Sequence, residues 1–219
     1  MNFDRKKLKL DARGLLSGNF GFAVMALCII LLIEIGIGFV TFLIFALSKS
    51  EGVAGFVQFI GAIYIMLPLN FGLVILFYKI GTRQTVTNKT ILEVFSNKIQ
   101  YLNVIILYIL ISMFVSLWTL LLIVPGIIAS LRYSQAPYIL LENPGMTPME
   151  AIRRSKEMTK GFKGSIFMLN LSFLGWMLLA PFTFGILYLW LIPYIGETNV
   201  QLYFFLKEAK PSAIEVNNG

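Results

Sequence analysis

The chain has no histidine, a single cysteine and only two aspartates among its 219 residues. Each scarcity removes a class of chemistry. Without histidine there is no H-E-x-x-H metal site and no Ser-His or Cys-His nucleophile–base pair. Cys28 alone builds neither an intrachain disulfide framework nor a cysteine-based metal site. Asp4 and Asp11 both precede the first long apolar run, which excludes an aspartyl dyad inside a bilayer. No phosphate-cradling P-loop is present. Charged residues make up 13% of the chain, roughly half the ~25% of soluble domains. The expectation is a protein that is not an enzyme, with no cofactor and no metal.

What the chain has in abundance is apolar sequence: 58% of residues are hydrophobic and the mean hydropathy is +0.80. Six apolar segments can be drawn, Phe20–Leu47, Phe56–Tyr78, Leu102–Val124, Ile127–Leu141, Ser165–Pro181 and Phe184–Phe205. The first three are each long enough to cross ~30 Å of hydrocarbon as a helix. The fourth and fifth are short. Helix from Leu102 to Leu141 would span about 60 Å, enough for two crossings, and Pro125-Gly126 is the natural turn between them. A re-entrant hairpin there is the alternative, with its irregular backbone buried in protein. The N-terminal MNFDRKKLKLDARG is basic like the start of a signal peptide, but the apolar run after it is too long for one and no A-x-A site follows. The expectation is an anchor that stays.

The net charge of +7 does not point to nucleic acid, because the cations sit between apolar runs and not along one polar face. They orient the chain instead. Arg5, Lys6, Lys7, Lys9 and Arg13 precede the first segment, and Lys79, Arg83, Lys89 and Lys98 separate the second from the third. Arg153, Arg154, Lys156, Lys160 and Lys163 separate the fourth from the fifth, and Lys207 and Lys210 follow the sixth. These sixteen face one side in a six-crossing arrangement, against Lys49 alone on the other. That partition predicts cytoplasmic termini.

A threefold internal pattern accompanies the count. Each expected hairpin has a proline near or inside its second arm: Pro68, Pro125 and Pro193. Each also follows a polar-apolar stretch. Thr147-Pro148-Met149-Glu150 combines an N-cap threonine, proline at the first helical position and glutamate at N3. Thr90 to Glu93 has the same spacing, and Asp11 is a candidate cap before Leu15 and Leu16. In the helix that Thr147 opens, Ala151, Ile152, Ser155, Met158, Thr159 and Phe162 share a small and apolar face. Glu150, Arg153, Arg154, Glu157 and Lys160 lie opposite, and Gly161 is the expected stop. This is either a solvated loop helix or one lying on the inner membrane surface, with Arg153, Arg154, Lys156 and Lys160 towards anionic lipid.

Three ionisable residues fall inside apolar segments, where charge is expensive: Glu34, Arg132 and Glu197. By position along their segments all three are expected in the outer half of the bilayer, at similar depth. They read either as a polar site for transport or as a structural ion pair with a spare carboxyl. Asn70, Gln135, Asn170, Asn199 and Gln201 suit interhelical hydrogen bonds, and Gly36, Gly38, Gly61 and Gly72 suit close helix contact. Trp118, Trp176, Trp190, Tyr78, Tyr101 and Tyr194 suit interfacial belts or packing.

The stretch Val124-Pro125-Gly126-Ile127-Ile128-Ala129, with Arg132-Tyr133-Ser134-Gln135-Ala136-Pro137-Tyr138-Ile139-Leu140, resembles a bacterial multi-pass family known as domain of unknown function 975. The resemblance continues through Glu142-Asn143-Pro144, Glu150-Ala151-Ile152, Ser155, Met158, Leu171 to Trp176 and Leu189 to Tyr194. It is close from Leu117 to Leu206 and elsewhere rests on the pattern of segments. One departure is visible: the family often carries a tryptophan before the fifth segment, where this chain has Phe162-Lys163-Gly164. The resemblance implies an integral protein of the bacterial cytoplasmic membrane and brings no activity with it.

The expected protein is therefore all-α, with six transmembrane helices in three hairpins (about 20–78, 102–141 and 165–206), each preceded by a cytoplasmic amphipathic segment. A single domain over 1–206 is followed by a short polar tail, 207–219. The expected partners are the lipid bilayer, with anionic lipid at its inner surface, and a membrane protein or a second copy of the chain; the alternative is a small transporter using Glu34, Arg132 and Glu197.

Overall fold

The computed structural model describes residues 3–211, so most of the polar tail lies outside the described residues. Every regular element among them is helical. Helix α1 (Arg5–Leu16) is followed by α2 (Phe20–Ser48) and α3 (Glu51–Gly61). A π-helical turn at Ala62–Met66 leads into α4 (Leu67–Gly81), and a 3-10 segment covers Thr90–Ser96. Then come α5 (Lys98–Leu121), α6 (Ile123–Tyr133), α7 (Ala136–Glu142), α8 (Pro148–Met158), α9 (Lys163–Leu179), a 3-10 turn at Ala180–Thr183, and α10 (Tyr188–Ala209). Among the described residues four stretches are long and apolar enough to cross a membrane: Phe20–Ser48, Glu51–Gly81, Lys98–Leu121 and Lys163–Thr183. Within each expected pair the two arms touch, α2 with α3, α5 with α6, and α9 with α10.

Prolines explain where helices bend. Pro68 has no N–H, so the carbonyl of Tyr64, four residues back, loses its helical donor. The π turn lies at this point, and the Tyr101 hydroxyl of α5 donates to the Tyr64 carbonyl at 2.9 Å. Pro137 acts the same way on the fourth segment. It was expected as one helix, but it is two, because Pro137 cannot bond back to Tyr133 and the chain breaks at Ser134-Gln135. The turn before it also differs from expectation. Leu122 alone turns the chain, in extended conformation (φ −162°, ψ 144°), while Pro125 and Gly126 sit inside α6. Gly126 serves a different purpose: a Cβ there would lie 2.9 Å from the Thr119 Cα, so glycine lets the two arms meet. The sixth segment starts later than expected, at Tyr188, after a turn in which Phe184 (φ 50°) and Gly185 (φ 83°) are left-handed. It runs on to Ala209, so helix includes residues 207–209.

Two of the three expected caps need correction. Asp4 caps α1, its Oδ1 accepting the Lys6 and Lys7 N–H groups at 2.8 and 3.3 Å, and Asp11 lies inside that helix. Thr90 opens no α-helix: its hydroxyl accepts the Thr87 N–H at 3.0 Å, and Glu93 pairs with Lys79 at 2.6 Å. Only Thr147 caps as expected, accepting the Glu150 N–H at 3.3 Å.

The core is one-sided. Phe71, Ile75, Leu76, Phe77 and Ile80 of α4 pack with Ile91 and Val94 of the 3-10 segment, with Ile139 and Leu140 of α7, and with the end of α10 at Val200, Leu202, Tyr203 and Leu206. The 3-10 segment comes so close that a Cβ on Gly72 would lie 2.1 Å from the Ile91 carbonyl oxygen. Helix α1 adds Leu8, Ala12 and Leu16, spaced one turn apart on one face. At the opposite end the apolar surface is bare. Past Ile30, α2 buries nothing, and Leu120 and Phe184 at two hairpin tips are 85% and 98% exposed. Exposed apolar surface on that scale marks a face made for lipid or for another protein.

Candidate functional site

The buried end of the molecule holds a hydrogen-bonded hub on Glu142, the last residue of α7. Its carboxylate accepts from the Tyr78 hydroxyl of α4 at 2.7 Å, from the Tyr203 hydroxyl of α10 at 2.7 Å and from the Lys207 ammonium at 2.6 Å. Tyr138 stacks on Tyr203 with ring centroids 5.4 Å apart. A carboxylate with three donors, one of them cationic, ties three helices at one point. These partners stand more than sixty positions from Glu142. The only local signal was an acid at the end of an apolar run.

Helix α8 sits beside this hub. Its expected small face is buried: Ala151, Ile152, Ser155, Met158 and Thr159 are covered by protein, and the helix touches α5, α6 and α7. Ser155 enters the break between α6 and α7. Its hydroxyl donates to the Arg132 carbonyl at 2.7 Å and accepts the Gln135 N–H at 3.1 Å. Two backbone groups flanking the break are thus satisfied by one side chain. At its far end, the Lys210 ammonium donates to the carbonyls of Glu157 and Lys160, neutralising the negative end of the helix. Gly161, at φ 93°, makes the expected stop.

The polar face of α8 divides in two. Glu150 accepts from Arg153 at 2.9 and 2.8 Å and from Arg154 at 2.8 Å. Hydrogen bonds from Arg153 and then Arg154 hold its carboxyl at about 2, well below the ordinary value. Arg154, one of the four cations expected towards anionic lipid, is buried against the protein. Lys156 and Lys160 are exposed and form no ion pair among the described residues.

The three charges expected inside the bilayer are not brought into one site. Glu34 is exposed on α2 and lines a groove of about 460 Å³ with Leu31, Phe184, Ile186, Tyr188 and Ile192. Arg132 ends α6 against α8. Glu197 is fully buried at the far end of α4, where a Cβ on Gly81 would lie 3.0 Å from its Oε1. That oxygen accepts from Gln201 at 2.9 Å, and the Glu197 Oε2 has no partner among the described residues. Arg132 and Glu197 therefore sit towards the packed end. Among the smaller expectations, Gly61 and Gly72 do meet neighbours closely, while nothing lies within 4 Å of a Cβ on Gly36 or Gly38. Trp176, Trp190 and Tyr194 form one ring cluster between α9 and α10, with centroid separations of 6.4 and 5.0 Å. Among the described residues no three carboxylate or thiol side chains gather as a metal site.

Among the described residues the fold is all-helical, with four helices long and apolar enough to span a membrane. Residues 120–210 match the family model described as protein of unknown function (DUF975), which establishes the resemblance over the segment from the α5–α6 turn to the end of α10. No curated protein and no solved structure matches the chain.

Proposed function

We propose that this is a six-crossing protein of the bacterial cytoplasmic membrane, with both termini inside. On this reading it is non-catalytic and binds anionic lipid at the inner surface through α8. The observation that carries the reading is the division of the polar face of α8. One flank is closed by Glu150, while Lys156 and Lys160 are left exposed on a helix whose other face is locked into the packed end. Cations held rigidly at the cytoplasmic ends of apolar helices attract anionic headgroups at about 1 kcal/mol each. The fourth crossing is α6 and α7 in sequence, from Ile123 to Glu142 with the break at Ser134-Gln135. The sixth is α10. Its Pro193 and buried Glu197 keep it from reading as a simple apolar span. Transport through the three intramembrane charges gains no support from the geometry, since no hydrogen bond or ion pair joins them among the described residues.

The test uses the full chain, delipidated in neutral detergent. Phosphatidylglycerol should raise its thermal midpoint more than phosphatidylcholine does, and salt should reduce the difference. Replacing Arg153, Lys156 and Lys160 together by Gln should remove most of the preference. Equal stabilisation by both lipids would sink the proposal.

A further inference from the structure

We infer that Arg132, Lys156, Lys160 and Lys163 form a binding site for a phosphate group at the N-terminal end of α9. Three elements deliver these cations to one place. The bond from Ser155 to the Arg132 carbonyl pins the end of α6 against α8. Lys156 is the next residue of α8, and Lys160 follows one turn later. The left-handed Gly161 then swings the chain so that Lys163 opens α9. Arg132, Lys156 and Lys160 all lie within electrostatic reach of Lys163, and all act on it as like charges.

None of the four has an ion-pair partner among the described residues. The Nε of Arg132 is buried with no hydrogen-bond partner. Of the acids of α8, Glu150 holds Arg153 and Arg154, and Glu157 forms no ion pair among the described residues. The N-terminus of α9 adds to the deficit, since Phe162 at its N-cap position offers no side-chain acceptor and its first turn holds no acid. Its first N–H groups lack intrahelical partners and its dipole end is positive.

A cluster of like charges around an unpaired guanidinium is unfavourable unless an anion completes it. A phosphate fits better than a carboxylate, because it offers more acceptor oxygens to several converging donors and matches the arginine fork. The group can belong to a lipid headgroup or to free phosphate. The lipid source rests on the inner-surface reading proposed above, since the site lies where the apolar stretch Lys163–Thr183 begins; the phosphate chemistry does not.

The experiment measures binding to the full chain in nanodiscs of phosphatidylcholine doped with phosphatidylglycerol, and separately with inorganic phosphate. Lys163→Gln and Arg132→Gln should each weaken phosphatidylglycerol binding about tenfold, while Arg153→Gln changes it by less than about twofold. Arg132→Lys, which keeps the charge, guards against loss of folding, and Lys163→Gln alone decides if both arginine variants aggregate. Competition by inorganic phosphate assigns the site to the free anion, and its absence assigns it to the headgroup; both support the site. Wild-type binding by Lys163→Gln and Arg132→Gln overturns it. If the Arg153, Lys156 and Lys160 triple variant still weakens lipid binding in that case, the surface reading survives without this site. No preference for phosphatidylglycerol together with no phosphate binding overturns both.

Discussion

The Ser155 hydroxyl donates to the carbonyl of Arg132 across 2.7 Å, joining an amphipathic helix to the broken end of an apolar one. Because the same oxygen accepts the Gln135 N–H, Ser155→Ala leaves that buried N–H without its acceptor and the Arg132 carbonyl with only the 3.5 Å bond from Thr159. The expected cost is about 1–3 kcal/mol, the penalty for a buried group left unpaired. It should appear as a lower thermal midpoint of the purified protein. An unchanged midpoint would mean that the break heals without Ser155.

Two glycines separate close approach from mere presence. A Cβ on Gly72 meets the Ile91 backbone carbonyl, which cannot swing away as a side chain would, whereas Gly36 has open space around it. Gly72→Ala should destabilise the protein by about 1–3 kcal/mol. Gly36→Ala should be neutral or slightly stabilising, since alanine favours helix. Comparing the melting of the two variants checks this directly.

The Glu142 hub predicts unequal losses. Tyr78→Phe removes one neutral donor and should cost about 1 kcal/mol. Lys207→Met leaves a mostly buried carboxylate without its cation and should cost more. Adding Glu142→Gln to Lys207→Met should restore part of the loss, because the uncompensated charge is gone. Strictly additive losses would show that the two side chains do not act as a pair.

The Glu150 clamp sets a pH window. Its carboxyl titrates at about 2 in the folded protein against 4.5 for the ordinary group, so the folded state favours the charged form. The stabilisation is fully present above about pH 4.5 and fades as pH falls towards about 2. The stability difference between wild type and Glu150→Gln should therefore shrink through that interval. A difference that persists at pH 2 would assign it to something other than charge.

Topology is checked by single cysteines in a Cys28→Ser background. Cysteines at Lys89 and Lys156 should resist an impermeant thiol reagent in intact cells and react after permeabilisation, while one at Ser50 reacts without it. Labelling at Lys156 in intact cells would remove the six-crossing arrangement and the inner-surface role of α8 together.

Much of this was legible before any coordinates, and the reason is locality. Helical character, the long apolar stretches, the Thr147 cap, the Gly161 stop and the buried stripe Ala151, Ser155, Met158 and Thr159 all follow from spacings within a few residues. Hydrophobic periodicity and capping chemistry act over that range. Tertiary structure decided what lies opposite each face. Counting along a segment says nothing of neighbours: Pro137 splits one helix so that α8 meets Arg132, and the packing of α4 against α10 buries Glu197. Sequence spacing likewise offered Glu34, Arg132 and Glu197 as one group. The carboxylate that does gather partners is Glu142, held by Tyr78, Tyr203 and Lys207, because only the packing of α4, α7 and α10 brings residues more than sixty positions apart within 3 Å.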